Sequence, residues 1–195
     1  MKLVFATNNQ NKVNEIKSLL GEGIEIVSLK GIGCNEELPE TKETLEGNAL
    51  QKARYVADNY NVNCFADDTG LEVASLNGAP GVYSARYAGE QCAAEDNMTK
   101  ILSELEGKEN RKAKFRTIVA LILNDEEHFF EGRIEGSITH SKSGSDGFGY
   151  DPIFQPNGFD ITFSEMSMAE KNAISHRGKA AAKLIAFLKE EFPRF

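Results

Sequence analysis

Apolar positions along the chain alternate between short continuous runs and stripes spaced by three and four, the pattern of strands exchanging with helices. Residues 3–6 form an apolar run that reads as a buried first strand. Val13, Ile16, Leu19 and Leu20 then lay a stripe along a helix that ends at Gly21. Residues 24–29 alternate well enough for a second strand, whereas residues 31–41, with Pro39 and clustered acids, read as loop. Thr44 can cap a long helix on which Ala49, Ala53, Val56, Ala57 and Tyr60 share one face, ending near Asn61. Residues 62–66 predict a strand, residues 67–70 a turn, and residues 71–73 a short strand with Leu71 and Val73 on one side, so Asp67 and Asp68 are expected at a strand end. Met98, Ile101, Leu102 and Leu105 define an amphipathic helix that stops at Gly107. Two long strands, at residues 115–123 and 130–138, are joined around residues 124–127, and the antiparallel hairpin they predict makes the sheet mixed. A glycine-rich loop follows at residues 141–158, and a last helix beginning near Ile174 or Ser175 buries Ala181, Leu184, Ile185 and Leu188. The fold class expected is α/β, a mixed sheet flanked by helices.

At 195 residues the chain is most simply one domain over residues 1–195, long enough to bury a sizeable core. Its 41% apolar and 27% charged residues are ordinary for a soluble protein, and no apolar run approaches the ~18 residues of a membrane span. The apolar run at the amino terminus meets asparagines at once and lacks the length of a signal peptide, so a cytoplasmic address is expected. Cys34, Cys64 and Cys92 are odd in number, with no Cys-x-x-Cys pair, and read as reduced structural thiols. A net charge of −8 argues against long nucleic acid as a partner. A small anion needs a local positive pocket, helped by a divalent metal, against that field.

Four segments supply such chemistry. Thr7-Asn8-Asn9-Gln10-Asn11-Lys12 lies where the first strand gives way to a helix, where free backbone N–H groups and the helix dipole favour an anion. Lys12 adds a full charge, so the turn can cradle a triphosphate; an Asn-rich cap with a solvated lysine would leave the same sequence. It lacks the Gly-x-x-x-x-Gly-Lys-[Ser/Thr] spacing of a P-loop. Of Asp67 and Asp68, adjacent in the chain, only one need face a site, and hard carboxylates there suit magnesium; an Asx turn before Gly70 is the alternative. Glu40 lies in the acidic loop, and Lys52 and Arg54 read, on spacing alone, as part of a solvated helix face. Phe148, set between Gly147 and Gly149, either stacks on a ligand or plugs the local core. Lys171, His176 and Arg177 suit phosphate or the carbonyl edge of a base, although His176 also reads as a surface or cap residue.

In order along the chain, the blocks Thr7-Asn8-Asn9-x-x-Lys12, Leu45-Glu46-Gly47-Asn48-Ala49-x-x-Lys52-Ala53, Ala66-Asp67-Asp68-Thr69-Gly70-Leu71, Gly78-Ala79-Pro80-Gly81-Val82-Tyr83-Ser84-Ala85-Arg86-Tyr87, Phe148-Gly149-Tyr150-Asp151-Pro152 and Ser175-His176-Arg177-Gly178-Lys179-Ala180 resemble the Ham1 or RdgB-type family of inosine/xanthosine triphosphate pyrophosphatases. The resemblance implies an elongated mixed α/β fold with a cleft between two lobes, a homodimer, and Mg2+-dependent cleavage of noncanonical purine triphosphates (ITP, dITP, XTP) to monophosphate and pyrophosphate. By motif position it assigns the phosphates to Thr7, Asn8, Asn9, Gln10, Asn11, Lys12 and Lys52, proton acceptance and metal ligation to Asp68, and a second metal carboxylate to Glu40. It assigns a substrate contact to Thr69, the base and sugar region to Phe148, Gly149, Tyr150 and Asp151, and completion of the purine pocket to Lys171, His176 and Arg177. Asn8 stands where many relatives carry glycine, and Thr69 where serine is commoner; both keep polar function. A nucleotide-sensing module without catalysis would keep Phe148 and the basic cluster but would not need both Asp68 and Glu40. A protein-interaction domain predicts no magnesium-dependent thermal stabilisation by inosine triphosphate.

Overall fold

The structure, a computed structural model, describes residues 1–19 and 23–192. In chain order these form β1 (Lys2–Phe5), α1 (Gln10–Leu19), β2 (Glu25–Ser28), α2 (Leu45–Tyr60), β3 (Cys64–Val73), β4 (Pro80–Gly81), α3 (Ala94–Glu104), β5 (Lys112–Leu123), β6 (Glu126–Ile138), β7 (Phe154–Pro156), α4 (Met168–Ile174) and α5 (His176–Glu191). The strands join one sheet in the order β2-β1-β3-β5-β6-β7, with β4 on β3. Strand β1 runs parallel to β2 and β3, while β4 is antiparallel to β3 and β7 to β6. The expected mixed α/β sheet is therefore present.

Local chemistry sets most boundaries. Thr44 caps α2 by accepting a hydrogen bond from the Gly47 N–H at 3.0 Å, and Asn61 ends it in the left-handed conformation at φ 50°. The β5–β6 connection is only Asn124-Asp125, at φ 50° and 67°, the positive values that a tight hairpin turn demands. Both strands run further than the apolar pattern predicts, from Lys112 and from Glu126, because backbone pairing continues through polar residues. Strands β4 and β7 and helix α4 are too short to leave a periodic signal; α4 starts at a reciprocal cap between Ser167 and Glu170. Leu20 and Gly21, read as the end of the first helix, lie outside the described residues.

Two expectations change. Residues 67–70 do not turn: β3 runs unbroken from Cys64 to Val73, with β5 as its other neighbour and β4 pairing Leu71 and Glu72. The polar Asp-Asp-Thr-Gly string looks like a turn only because local preference says nothing about the strands on either side. All three cysteines are free, but only Cys34 and Cys64 are buried; Cys92 is exposed, so burial does not explain it.

The chain divides into two compact units: residues 1–68, 117–132 and 177–195, and residues 69–116 and 133–176. In the first, strand alternation sorts the helices to the two faces of the sheet. Leu3, Phe5, Phe65, Val119, Leu121 and Leu123 pack with Val13 and Ile16 of α1 and Ala181, Leu184 and Leu188 of α5. Phe5 and Phe65 stack at 4.4 Å. Cys64, one residue out of phase with Phe65, instead donates its thiol to the Ala53 carbonyl of α2 at 3.1 Å. Within the second unit, Met98, Ile101 and Leu105 from the α3 segment pack on Leu71 and Val73 of β3. Phe115, Phe154 and Phe163 belong to the same core, with Phe115 and Phe154 4.7 Å apart.

Gly136 marks the tightest backbone approach in this second core, since a Cβ there would stand 2.4 Å from the Gln155 carbonyl oxygen across the β6–β7 pair. Gly136→Ala is therefore expected to lose about 2 kcal/mol of stability, in the range of overpacking. Urea unfolding of the two proteins measures it, and an unchanged midpoint would contradict the close approach.

Candidate active site

Parallel pairing of β1 with β3 ends at Phe5 opposite Phe65. Two short stretches of chain therefore emerge past the carboxyl end of β1: the turn from Thr7 to Lys12, and Asp67-Asp68 on the continuing β3. In α/β sheets this end of the strands is where ligands bind. The turn is internally braced. Thr7 Oγ1 accepts from the Asn9 N–H at 3.2 Å, and Asn9 Oδ1 accepts from the N–H groups of Asn11 and Lys12 at 3.0 and 3.3 Å. The expected free N–H cradle is thus partly occupied by the turn's own side chains. Asn8, Asn9, Gln10 and Asn11 are exposed. Gln10 donates to Asn14, and Asn8 to the Glu36 carbonyl.

Because adjacent residues on a strand point to opposite faces, the two aspartates divide. Asp67 is fully buried toward α1 and α5: Lys12 Nζ donates to its Oδ1 at 2.9 Å, and Arg177 Nε to its Oδ2 at 3.1 Å. Arg177 also donates through Nη1 to Glu15, a buried carboxylate of α1. Burial alone would raise the Asp67 pKa, but Lys12 and Arg177 outweigh it and hold the carboxyl well below the usual range. Lys12 is shifted downward, burial outweighing its attraction to Asp67.

Asp68 meets Lys52 of α2, whose Nζ lies 3.8 Å from Asp68 Oδ1. Lys52 is buried, not part of a solvated face, and also donates to Glu40 and, at 2.8 Å, to the Asp67 backbone carbonyl. Burial would lower its pKa; Asp68 and Glu40 together raise it. For Asp68 burial dominates over Lys52 and raises the pKa. The two neighbouring acids are thereby driven apart, Asp67 downward and Asp68 upward. Arg54 sits away from this group, paired with Glu127 at 2.7 Å.

Glu40 and Asp68 both reach Lys52 Nζ, so two hard carboxylates converge on one cationic point. No group of three or more His, Cys, Asp or Glu side chains is placed to hold a metal among the described residues. Magnesium keeps several waters and takes one or two carboxylates beside substrate phosphates, so this donor set fits it.

In the second unit, Gly147 and Gly149, at φ 79° and 64°, hold Phe148 in a loop that non-glycine residues would strain; a Cβ on Gly147 would lie 2.3 Å from Asp151 Oδ2. That oxygen accepts from the Phe148 N–H at 2.8 Å and from Lys171 Nζ at 2.7 Å. The Lys171 ammonium in turn stands 4.8 Å from the centre of the half-buried Phe148 ring. Tyr150 is buried, and its hydroxyl donates to the Ser84 carbonyl at 2.7 Å, which makes it a brace for the loop. His176 is buried and stacks on Phe115 at 4.5 Å, so it is not a surface residue. Thr69 and Gly149 are half-buried.

Lys12, Lys52, Glu40 and Asp68 thus gather in one unit, and Phe148, Tyr150, Asp151, Lys171 and His176 in the other. Arg177, expected in a purine pocket, has its charged contacts with Asp67 and Glu15 in the first unit. Sequence reasoning missed Glu15. Its signal was a charged residue three positions after Lys12, inside the apolar stripe of Val13, Ile16 and Leu19.

The pattern of the Ham1 family matches residues 3–187, and the chain belongs to that family. It is 57% identical over 189 residues to the dITP/XTP pyrophosphatase of Flavobacterium psychrophilum, covering 97% of this chain and 100% of that protein. It is 55% identical to the dITP/XTP pyrophosphatase of Porphyromonas gingivalis, over 96% of this chain and 97% of the relative. Among solved structures, the Staphylococcus aureus Ham1 protein superposes with a TM-score of 0.89 at 38% identity, over 98% of this chain and 100% of its own.

The buried Asp67 sets a pH prediction. A carboxyl whose folded pKa is depressed contributes stability in full above its unfolded pKa of ~3.9, and that contribution is lost as pH falls below it toward the folded value. Asp67→Asn should be less stable by about 3 kcal/mol at neutral pH, the scale of breaking a buried ion pair. It should also show a shallower loss of stability than the parent between about pH 4 and 2, read from urea midpoints. Identical slopes would contradict the ion-paired state of Asp67.

Proposed function

We propose that this chain hydrolyses noncanonical purine nucleoside triphosphates, ITP, dITP and XTP, to the monophosphate and pyrophosphate, with Mg2+ as cofactor. The observation that carries this reading is the meeting of Asp68, Glu40 and Lys52 beside the Lys12–Asp67 pair. One proton acceptor, a hard-oxygen metal site and two lysines there are what phosphoryl cleavage of a triphosphate requires. The names of the relatives support the same reaction.

Asp68 takes the proton of the attacking water at the α-phosphorus, a task that its raised pKa suits. Lys12 and Lys52 lie against the β- and γ-phosphates and offset the charge that develops on the leaving pyrophosphate. The exposed amides of Asn8, Asn9, Gln10 and Asn11 and the Thr7 hydroxyl add donors around the same phosphates. Glu40 and Asp68 would hold the magnesium ion, which when bound neutralises phosphate oxygens.

The base falls to the second group. Phe148 offers an aromatic face, with Lys171 and Asp151 fixing its ring and backbone. Donors from Lys171 or His176 toward a 6-keto oxygen favour hypoxanthine and xanthine over adenine, whose amino group presents hydrogens there. Thr69 keeps a hydroxyl for the sugar–phosphate region. Cleansing the nucleotide pool in this way places the protein in the cytoplasm, and we take it to act as a homodimer.

Incubation with magnesium and a panel of purine triphosphates tests the reading, with pyrophosphate scored separately from orthophosphate. Pyrophosphate from ITP and XTP, with little from ATP, is the expected result; orthophosphate alone would overturn it. Asp68→Asn should lose at least ~100-fold in turnover, the lower range for a general base, while still binding nucleotide. Near-normal turnover would remove Asp68 from that role.

A further inference from the structure

Glu15, Arg177, Asp67 and Lys12 form a buried chain of alternating charge. Lys12 Nζ meets Asp67 Oδ1 at 2.9 Å, Asp67 Oδ2 meets Arg177 Nε at 3.1 Å, and Arg177 Nη1 donates to Glu15. Glu15 lies on α1 three residues after Lys12, which puts both ends of the chain on one face of the helix. Side-chain exposures of 15, 0, 3 and 7% for Lys12, Asp67, Arg177 and Glu15 keep water from screening it. The four charges sum to zero, so none is left uncompensated in the interior.

Three elements meet there: α1 supplies Lys12 and Glu15, β3 supplies Asp67, and the first turn of α5 supplies Arg177. An arginine at the start of a helix gains nothing from the dipole, which favours anions at that end. Its placement is explained instead by two buried carboxylates, one of them Glu15. Without Glu15, Arg177 would lose the carboxylate that its Nη1 meets while its Nε holds Asp67. Asp67 in turn fixes both phosphate lysines, Lys12 through its carboxylate and Lys52 through its backbone carbonyl at 2.8 Å.

We infer that Glu15 is a positioning residue for the phosphate end of the site, acting through Arg177 and Asp67 to hold Lys12 where it meets the leaving pyrophosphate. This rests on the reading that Lys12 and Lys52 hold phosphates. It also gives Arg177 a role independent of the base. Glu15 touches no substrate; a misplaced lysine alone carries its effect, and that effect is the same whichever purine is attached.

Glu15→Gln is the direct test, because it keeps the shape and removes the charge. Thermal unfolding establishes whether the variant is folded, and calorimetry with inorganic pyrophosphate and magnesium reads the phosphate end without any turnover. We expect pyrophosphate affinity to fall at least about 5-fold, within the range for uncoupling a networked ion pair. We also expect kcat/KM for ITP and ATP to fall by one common factor. A folded variant with unchanged pyrophosphate affinity, or one in which the ITP to ATP ratio alone moves, would overturn the inference. Should the glutamine variant fail to fold, Glu15→Asp decides: it keeps the charge one methylene short, and a pyrophosphate affinity equal to the parent's would overturn the positioning role. A parent that binds pyrophosphate yet cleaves no triphosphate would sink the proposed reaction alone, leaving Glu15 to be judged by affinity.

Discussion

A carboxylate with no solvent exposure, Asp67, is the constraint from which the rest of the first unit follows. Burying such a charge costs several kcal/mol unless cations and hydrogen bonds surround it. Asp67 recruits one cation from each of two helices packed on its face of the sheet, Lys12 from α1 and Arg177 from α5. Those helices are already brought there by apolar contact between Val13, Ile16, Ala181 and Leu184 and the Phe5–Phe65 stack. Hydrophobic packing sets the distance between the layers, and the ion pairs set the register of the polar ends. The turn from Thr7 to Lys12 inherits its position from both.

Strand alternation then does what no loop could do as economically in sequence. Consecutive aspartates on β3 face opposite layers, so one is neutralised by α1 and α5 while the other meets Lys52 of α2 and the acidic loop carrying Glu40. Their pKa values move in opposite directions from nearly the same starting point, Asp67 down and Asp68 up. Separation of two titratable neighbours by environment is a general way of assigning a permanent charge and a proton acceptor at neutral pH. In the second unit a single oxygen plays the organising part: Asp151 Oδ2 receives both the Phe148 N–H and the Lys171 ammonium, and the absence of a side chain on Gly147 leaves room for it.

Much of this was legible in the chain. The stripe of α2, its Thr44 cap and its end at Asn61 needed only periodicity and turn chemistry, because apolar burial and local hydrogen bonds agree there. The β5–β6 hairpin showed for the same reason. What stayed hidden was decided by partners remote in sequence. Asp-Asp-Thr-Gly carries every local mark of a turn, yet β3 runs through it unbroken with β5 alongside. Lys52 looks like a surface lysine until Glu40, Asp68 and the Asp67 carbonyl close around it. Glu15 meets Arg177 from 162 positions away, a pairing that no short window could reveal. Family resemblance singled out Lys52 and Glu40, which spacing alone passes over; Arg177, which it assigns to the purine pocket, pairs with Asp67 and Glu15.

In the proposed reaction water attacks the α-phosphorus, with Asp68 to take its proton and the lysines to meet the leaving group. Hydrolysis of inosine triphosphate in water enriched with oxygen-18 reads that point directly. Label found in the monophosphate, with unlabelled pyrophosphate, is the expected result. Label in the pyrophosphate, or release of labelled orthophosphate, would contradict it.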